Sequence, residues 1–343
     1  MAATSGYGIG SLKPMVCDSA TRPTNPHIGQ MIFETDTSTT RVYLSGGWSS
    51  PQTWARGVIA EYLVIAGGGG GGGWGGGGGA GGYRSSVIGE LSGANSTAES
   101  TLTLRAGTTH VVTVGGGGTR GAEGYVAGGN GEPSTFSTIT ALGGGGGGRY
   151  DAGAGLLGGS GGGGGMSEGS NGAAGLGTAL QGFAGGIGSS NVGGWTNGRG
   201  GGGGGAGQVG FDGRASVNIS ANMGRGGAGL SSSITGSAVF RAGGGGGHGG
   251  YMTQIANGGT GGGGKGGQYS VVGADSGTTN TGGGGGGSWG GAGQLCGLGG
   301  SGVVIVRYLS TEATGLTITG GTISASGNYT IHTFTASSNL VIA

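Results

Sequence analysis

Nine times between Gly67 and Gly287 the chain is glycine alone for four to seven consecutive residues: 67–73, 75–79, 115–118, 143–148, 161–165, 200–205, 243–247, 261–264 and 282–287. Glycine inside a helix or strand destabilises it by roughly 0.5–1 kcal/mol relative to alanine, so neither regular element is expected within a run. Each run is long enough for about two turns of an extended left-handed helix with about three residues per turn and ~3.1 Å rise. Such a helix has no internal hydrogen bonds. Every N–H and C=O must find a partner on a neighbouring chain or stand as an unsatisfied buried group. Helices approach closely enough for that only where no Cβ intervenes, which is why the contacts demand glycine. A backbone hydrogen bond returns about 1 kcal/mol net, comparable to glycine's extra ordering cost, and weak Cα–H···O contacts add a fraction more. A lone glycine helix is therefore unstable. A bundle bonded on all sides and capped by layers of Trp, Tyr, Ile and Val holds.

Two other outcomes for so much glycine are excluded by the rest of the chain. Glycine and proline, 107 and 5 of 343 residues, together make up about a third, a level at which aperiodic sequences are usually disordered. Disordered chains resist collapse by carrying many charges, yet only 8% of these residues are charged and the net charge is +1. Collagen requires glycine at every third position with abundant proline. Uninterrupted runs and scarce proline are the opposite pattern.

Outside the runs the sequence reads as β. In residues 1–56, the stretches 29–36 and 41–44 form two short strands around the turn-forming 36–39, a hairpin module ending at Trp48. Val58 to Ala66 is β-branched and apolar enough for a buried strand and runs directly into the first glycine run; Val303 to Tyr308 is its counterpart at the other end. These two are expected to pair or pack and so fix the ends of the domain. Residues 100–105 and 109–114 alternate around Ala106-Gly107-Thr108 as a hairpin, and 134–142 and 237–242 are further strands, each feeding a glycine run. Residues 316–319 and 329–335 alternate again, as a small C-terminal β-appendage. No segment keeps a 3.6-residue apolar period free of glycine. The expected fold is all-β with irregular structure: a polyglycine II helix bundle framed by β-strands, small β-modules at both ends, and essentially no α-helix. Its parts are an attachment module over 1–56, the glycine-rich domain over 57–309 and the appendage over 310–343.

Most motifs of chemistry are absent. Matches to G-x-G-x-x-G arise by chance in such a chain, and none follows a strand and opens a helix. Gly264-Lys265-Gly266 lacks the Ser or Thr of a phosphate-binding loop and reads as a turn. His27, His110, His248 and His332 lie in four different regions, without the spacing of a metal site or catalytic dyad. His248 reads as a bend between glycine helices. Cys17 and Cys296 form neither a disulfide framework nor a ligand cluster. Two isolated Arg-Gly-Gly copies, at Arg199 and Arg225, in a near-neutral chain do not grip nucleic acid. No catalytic or metal site and no cofactor is expected, and the protein is read as a non-enzyme. No stretch of about 18 apolar residues spans a membrane, and Met1 to Met15 lacks the pattern of a secretion signal, so synthesis in a cytoplasm is expected. The aromatics that interrupt the runs or stand at their ends, Trp74, Tyr83, Tyr150, Trp195, Tyr251 and Trp289, are more informative. They either cap the bundle or stand on loop tips, where Tyr and Trp concentrate binding energy in small areas.

Taken together, Glu61-Tyr62-Leu63-Val64-Ile65-Ala66 with the following run, Gly81-Gly82-Tyr83-Arg84-Ser85-Ser86, Val111-Val112-Thr113-Val114-Gly115, Gly299 to Tyr308, and Tyr329 to Thr335 resemble the glycine-rich domain of tail fibres and other appendages of bacterial viruses. The stretch from Arg22-Pro23 through Gly29 to Thr37, ending in Gly46-Gly47-Trp48, is similar to a hairpin common in virion structural proteins. The resemblance extends to polyglycine sandwich adhesins at the tips of long tail fibres, where loops at one end of the helices determine the receptor. It implies a virion location, host contact and a homotrimer. The expected partners are other tail or fibre proteins and a host surface receptor, either an outer-membrane protein or a polysaccharide, with no nucleic acid and no membrane insertion. Receptor contact is expected from Trp74, Tyr150, Trp195, Arg199, Tyr251 and Trp289, on loops around 150–157, 193–199 and 249–255. Virion attachment is expected from Phe33, Tyr43 and Trp48. Those adhesins are compact tip modules, whereas this chain carries modules at both ends, so a fibre held to tail or capsid through residues 1–56 fits equally. A purely structural head fibre or tail adaptor is the main alternative. Ice binding would need small residues recurring every third position on one outer layer, and the interruptions here are irregular and include Trp, Arg, Asp and Tyr.

Overall fold

The computed structural model describes residues 14–37, 39–53, 56–122, 125–190, 198–213, 223–250, 255–289 and 293–343. The chain divides into two compact units, Met1–Arg56 and Gly57–Ala343. In the first, β1 (Met15–Cys17) pairs in parallel with β2 (Met31–Glu34), which pairs antiparallel with β3 (Thr39–Leu44). Two short strands, β4 (Gly47–Trp48) and β5 (Gln52–Thr53), also pair with β3. The hairpin expected from the alternation over 29–44 is thus β2 and β3. Its buried polar centre is Glu34, fully enclosed, whose carboxylate takes hydrogen bonds from Arg22, from Arg41 Nε at 3.1 Å, and from the Thr37 and Thr39 hydroxyls at 3.0 and 3.1 Å. The Arg22 guanidinium, against the opposing effect of burial, holds that carboxyl at about 2.

The second unit opens with β6 (Gly57–Ile65), β7 (Tyr83–Ser85), β8 (Leu91–Ser92), β9 (Ser96–Thr97), β10 (Leu102–Arg105), β11 (Thr108–Thr113), β12 (Ser134–Phe136) and β13 (Ile139–Ala141). Later come β14 (Leu230–Ser232), β15 (Val239–Arg241), β16 (Val303–Leu309), β17 (Ile318–Thr319), β18 (Thr322–Ser326), β19 (Tyr329–Phe334) and β20 (Ser338–Ile342). The described residues contain no α-helix, only a short 3₁₀ turn at Gly93–Asn95. One sheet runs β10-β6-β16-β19-β18, with β7 also on β6; a second runs β13-β12-β11-β20-β17. Their facing side chains share a buried core. The first sheet contributes Val58, Tyr62, Val64, Val304, Val306 and Phe334, and the second Val112, Phe136, Leu340 and Ile342.

The alternate residues of β6 and β16 are buried as well. Leu63, Ile65, Val303 and Ile305 pack on the other face with Tyr83, Ile234 and three alanines at the near ends of glycine runs, Ala80, Ala206 and Ala242. Burial on both faces is why these strands read as continuous apolar stretches rather than alternations. They pair antiparallel as expected, from Val303 opposite Ile65 to Arg307 opposite Glu61, where Arg307 Nε meets the Glu61 carboxylate at 2.6 Å.

Three expectations are corrected. The alternating stretches around Ala106-Gly107-Thr108 are strands but not a hairpin: β10 joins β6 in one sheet while β11 joins β12 and β20 in the other. The turn arches between the sheets, so that Leu104 and Val112 meet in the core between them. Residues 134–142 are a tight hairpin, β12 and β13, instead of one strand, reversed at Ser137 with φ 53°. The C-terminal residues are not an appendage, because β19 pairs with β16 and β20 with β11, completing both sheets.

From the sandwich the glycine runs extend as a hydrogen-bonded array, as the runs themselves predict. Its central segment is 75–82. Gly76, Gly79 and Gly82 donate to the carbonyls of Gly148, Gly145 and Leu142; Gly77 and Ala80 to Gly201 and Gly204; Gly78 and Gly81 to Gly285 and Gly282, all at 2.7–3.0 Å. In the other direction, Gly72 and Gly69 donate to Gly76 and Gly79, Gly163 and Ser160 to Gly77 and Ala80, and His248 and Gly245 to Gly75 and Gly78. Each neighbour is met at every third residue, the period of the extended three-fold helix. Six segments therefore surround the central one, three accepting from it and three donating to it. The ring closes on itself through Gly144 to Gly67, Gly145 to Ser160, Gly201 to Gly164, Gly203 to Gly245, Gly284 to Gly243 and Gly285 to Gly69. None of Gly75 to Gly79 has a left-handed φ; a Cβ on Gly78 would lie 2.1 Å from the Gly69 carbonyl oxygen. The array needs glycine for space rather than for backbone freedom.

Candidate binding site at the far end of the glycine array

Direction along the runs decides what gathers where. The runs 67–73, 143–148 and 243–247 follow β6, β13 and β15, and 282–287 follows Thr281, whose carbonyl accepts from the Ala242 N–H; the mutual hydrogen bonds of the four keep constant offsets, so they run parallel away from the sandwich. Each delivers an aromatic residue at its far end: Trp74, Tyr150, His248 and Trp289. The central segment then returns to the sandwich at Tyr83.

Trp74 is the hub of the resulting cluster. Its ring centroid lies 6.0 Å from Tyr150, 5.4 Å from His248, 5.4 Å from Tyr269 and 5.9 Å from Trp289. Tyr269 and Trp289 are 4.6 Å apart, and Tyr125 sits 5.2 Å from Tyr150. These tilted and edge-on separations are the favourable range for aromatic pairs. Trp74 occupies a left-handed φ of 51° while its N–H donates to the Ser288 carbonyl at 2.6 Å. A bulky residue there is strained, by about 1–3 kcal/mol, and persists only where its surroundings fix it.

The rings grade from interior to surface. His248 is fully enclosed, Tyr150 is buried, Trp74, Tyr269 and Trp289 are half-buried, and Tyr125 is 58% exposed. Burial pushes the His248 imidazole down to about 4, so it is neutral near pH 7. The Gly250 N–H donates to its Nδ1 at 3.2 Å, which places the ring proton on Nε2. Burial first, then the Glu168, Tyr125 and Asp151 charges, push the Tyr150 phenol up. Two clefts open here. One of about 260 Å³ is lined, among the described residues, by Trp74, Tyr125, Tyr150 and Trp289. Its neighbour of about 340 Å³ is lined by Tyr125, Arg149, Tyr150 and Asp151. Arg149 and Asp151 are exposed, and Arg149 Nη1 donates to the Tyr125 carbonyl at 3.2 Å.

Of the residues expected at a receptor surface, the structure gathers Trp74, Tyr150 and Trp289 into one cluster. Trp195 and Tyr251 lie outside the described residues, as do most of the loops 193–199 and 249–255. Arg199 is 7% exposed and sits in the array, its N–H donating to Ser189 Oγ at 2.8 Å and its carbonyl accepting from the Ser189 N–H at 2.9 Å. A side chain so enclosed is not an outer contact. Tyr125, Tyr269 and the ring role of His248 were not foreseen from sequence. The signal was there for two of them, since His248 and Tyr269, like Trp74, stand just beyond the far end of a glycine-rich run. In the first unit Tyr43 and Trp48 are opposite each other across β3 and β4, with rings 5.2 Å apart edge to face. Strand alternation puts Phe33 on the other face. Among the described residues no group of His, Cys, Asp and Glu is arranged to hold a metal, and no helix is long and apolar enough to cross a membrane.

A two-sheet sandwich from which a three-fold array of glycine helices projects, ending in an aromatic cluster, defines an all-β glycine-rich protein. A family model described as a glycine-rich domain matches residues 45–309, and the chain belongs to that family. Comparison with curated proteins and with solved structures gave no match.

Proposed function

We propose that the protein is a virion appendage of a tailed bacteriophage, a tail-fibre or adhesin subunit that meets the host surface through the far end of its glycine array. The observation that carries this reading is the collection of rings at that one end. Backbones within the array are committed to one another, so recognition falls to the ends, and Trp and Tyr are the side chains that concentrate binding energy in small areas. Residues 1–56, with Tyr43 and Trp48 in contact, are the proposed link to the rest of the virion, and a homotrimer is the proposed assembly. Purified protein is expected to bind susceptible bacteria and to block infection in competition with virions. If it binds no cells while virions lacking it adsorb normally, the receptor role fails and a purely structural appendage is the better description.

A further inference from the structure

We infer that the paired clefts at Tyr125 and Tyr150 form a saccharide-binding site, an inference that rests on the host-contact reading above and names the class of ligand. A pyranose ring presents one face of C–H groups and a rim of hydroxyls. Its face stacks on an aromatic side chain, and its hydroxyls require donors and acceptors at the edge of that platform. Both are present side by side. The first cleft is walled by Trp74, Tyr125, Tyr150 and Trp289, and the second shares Tyr125 and Tyr150 but adds Arg149 and Asp151. A carboxylate accepts from two adjacent hydroxyls and a guanidinium donates to two.

The backbone presents these charges at a fixed place. Asp151 and Ala152 are both in left-handed conformation, φ 67° and 57°, in the reversal between the run 143–148 and the segment that returns antiparallel beside it. Two successive non-glycine residues there are uncommon, and Ala152 has no side-chain compensation for it. Asp151 and Arg149, the exposed neighbours of buried Tyr150 in the chain, both line the second cleft with it. Clefts of about 260 and 340 Å³ have room for a small ligand or the end of a chain of sugars.

The test uses the intact protein on a panel of bacteria, with bound cells then treated by periodate, which cleaves vicinal diols, or by protease. Binding that periodate abolishes and protease spares is expected. Tyr125→Ala and Asp151→Asn should each weaken binding to untreated cells about tenfold or more without lowering the unfolding temperature; asparagine tolerates the left-handed conformation, so the second variant is not a folding probe. Binding that survives periodate and is lost to protease overturns the saccharide site and leaves the adhesin reading standing. Periodate-sensitive binding unchanged in both variants overturns the location. Binding to no cells at all removes the adhesin reading and this inference with it.

Discussion

Space, not backbone freedom, decides which of two adjacent glycines, Gly116 and Gly117, could carry a side chain. A Cβ on Gly117 would lie 1.9 Å from the Gly299 carbonyl oxygen, whereas one on Gly116 meets only the Glu132 carboxylate at 3.4 Å, with an ordinary φ at both positions. Gly117→Ala must therefore push two backbone segments apart, and a loss of roughly 3 kcal/mol or more is expected. Gly116→Ala removes unfolded-state freedom without a clash and is expected to be neutral or stabilising by up to about 1 kcal/mol. Chemical denaturation of the two variants measures the difference, and equal effects would show that the segments are not in contact. His248 makes a pH prediction at the same scale. Its folded value of about 4 lies below the ordinary 6.5, so the unfolded chain takes up the proton first as pH falls. Its contribution is complete above about pH 6.5 and is lost toward pH 4, at up to about 1.4 kcal/mol per pH unit. Ring proton shifts in NMR should show His248 neutral down to about pH 4; titration near 6.5 would contradict its burial.

Among the elements, legibility in the sequence followed how many neighbours each had to satisfy locally. The strands at Val58 to Ile65 and Val303 to Tyr308 were readable because burial on both faces leaves an unbroken apolar stretch. Pairing was less so. The alternation of residues 100–114 reports faces, not partners, and an arch between sheets has the same alternation as a hairpin. The C-terminal strands looked separable because Thr, Ser and Gly dominate around them, yet Phe334, Leu340 and Ile342 are core residues. The far-end cluster was half legible: Trp74, Tyr150 and Trp289 stood out, but only the parallel course of four runs shows that they converge. Deleting 314–343 is accordingly expected to abolish folding, because it strips one neighbour from each of the central strands β16 and β11. Near-ultraviolet circular dichroism of the truncated protein checks this, and a native-like spectrum would restore the appendage.

Over the whole second unit, stability is shared between an apolar sandwich and a polar lattice. Each glycine segment is bonded to others distant in sequence, as Gly68 is to Gly300 and Gly77 to Gly201, so little of the array can form before most of it has formed. Such non-local closure favours slow folding and all-or-none unfolding of residues 57–343. At the centre of the array the segment 75–82, neither α-helix nor β-strand, gives up its N–H groups to three neighbours. Amide hydrogen exchange of Gly76 to Ala80 tests it most directly. These amides should exchange only through global unfolding, as slowly as those of β6 and β16; exchange at the rate of an unstructured glycine peptide would contradict the array.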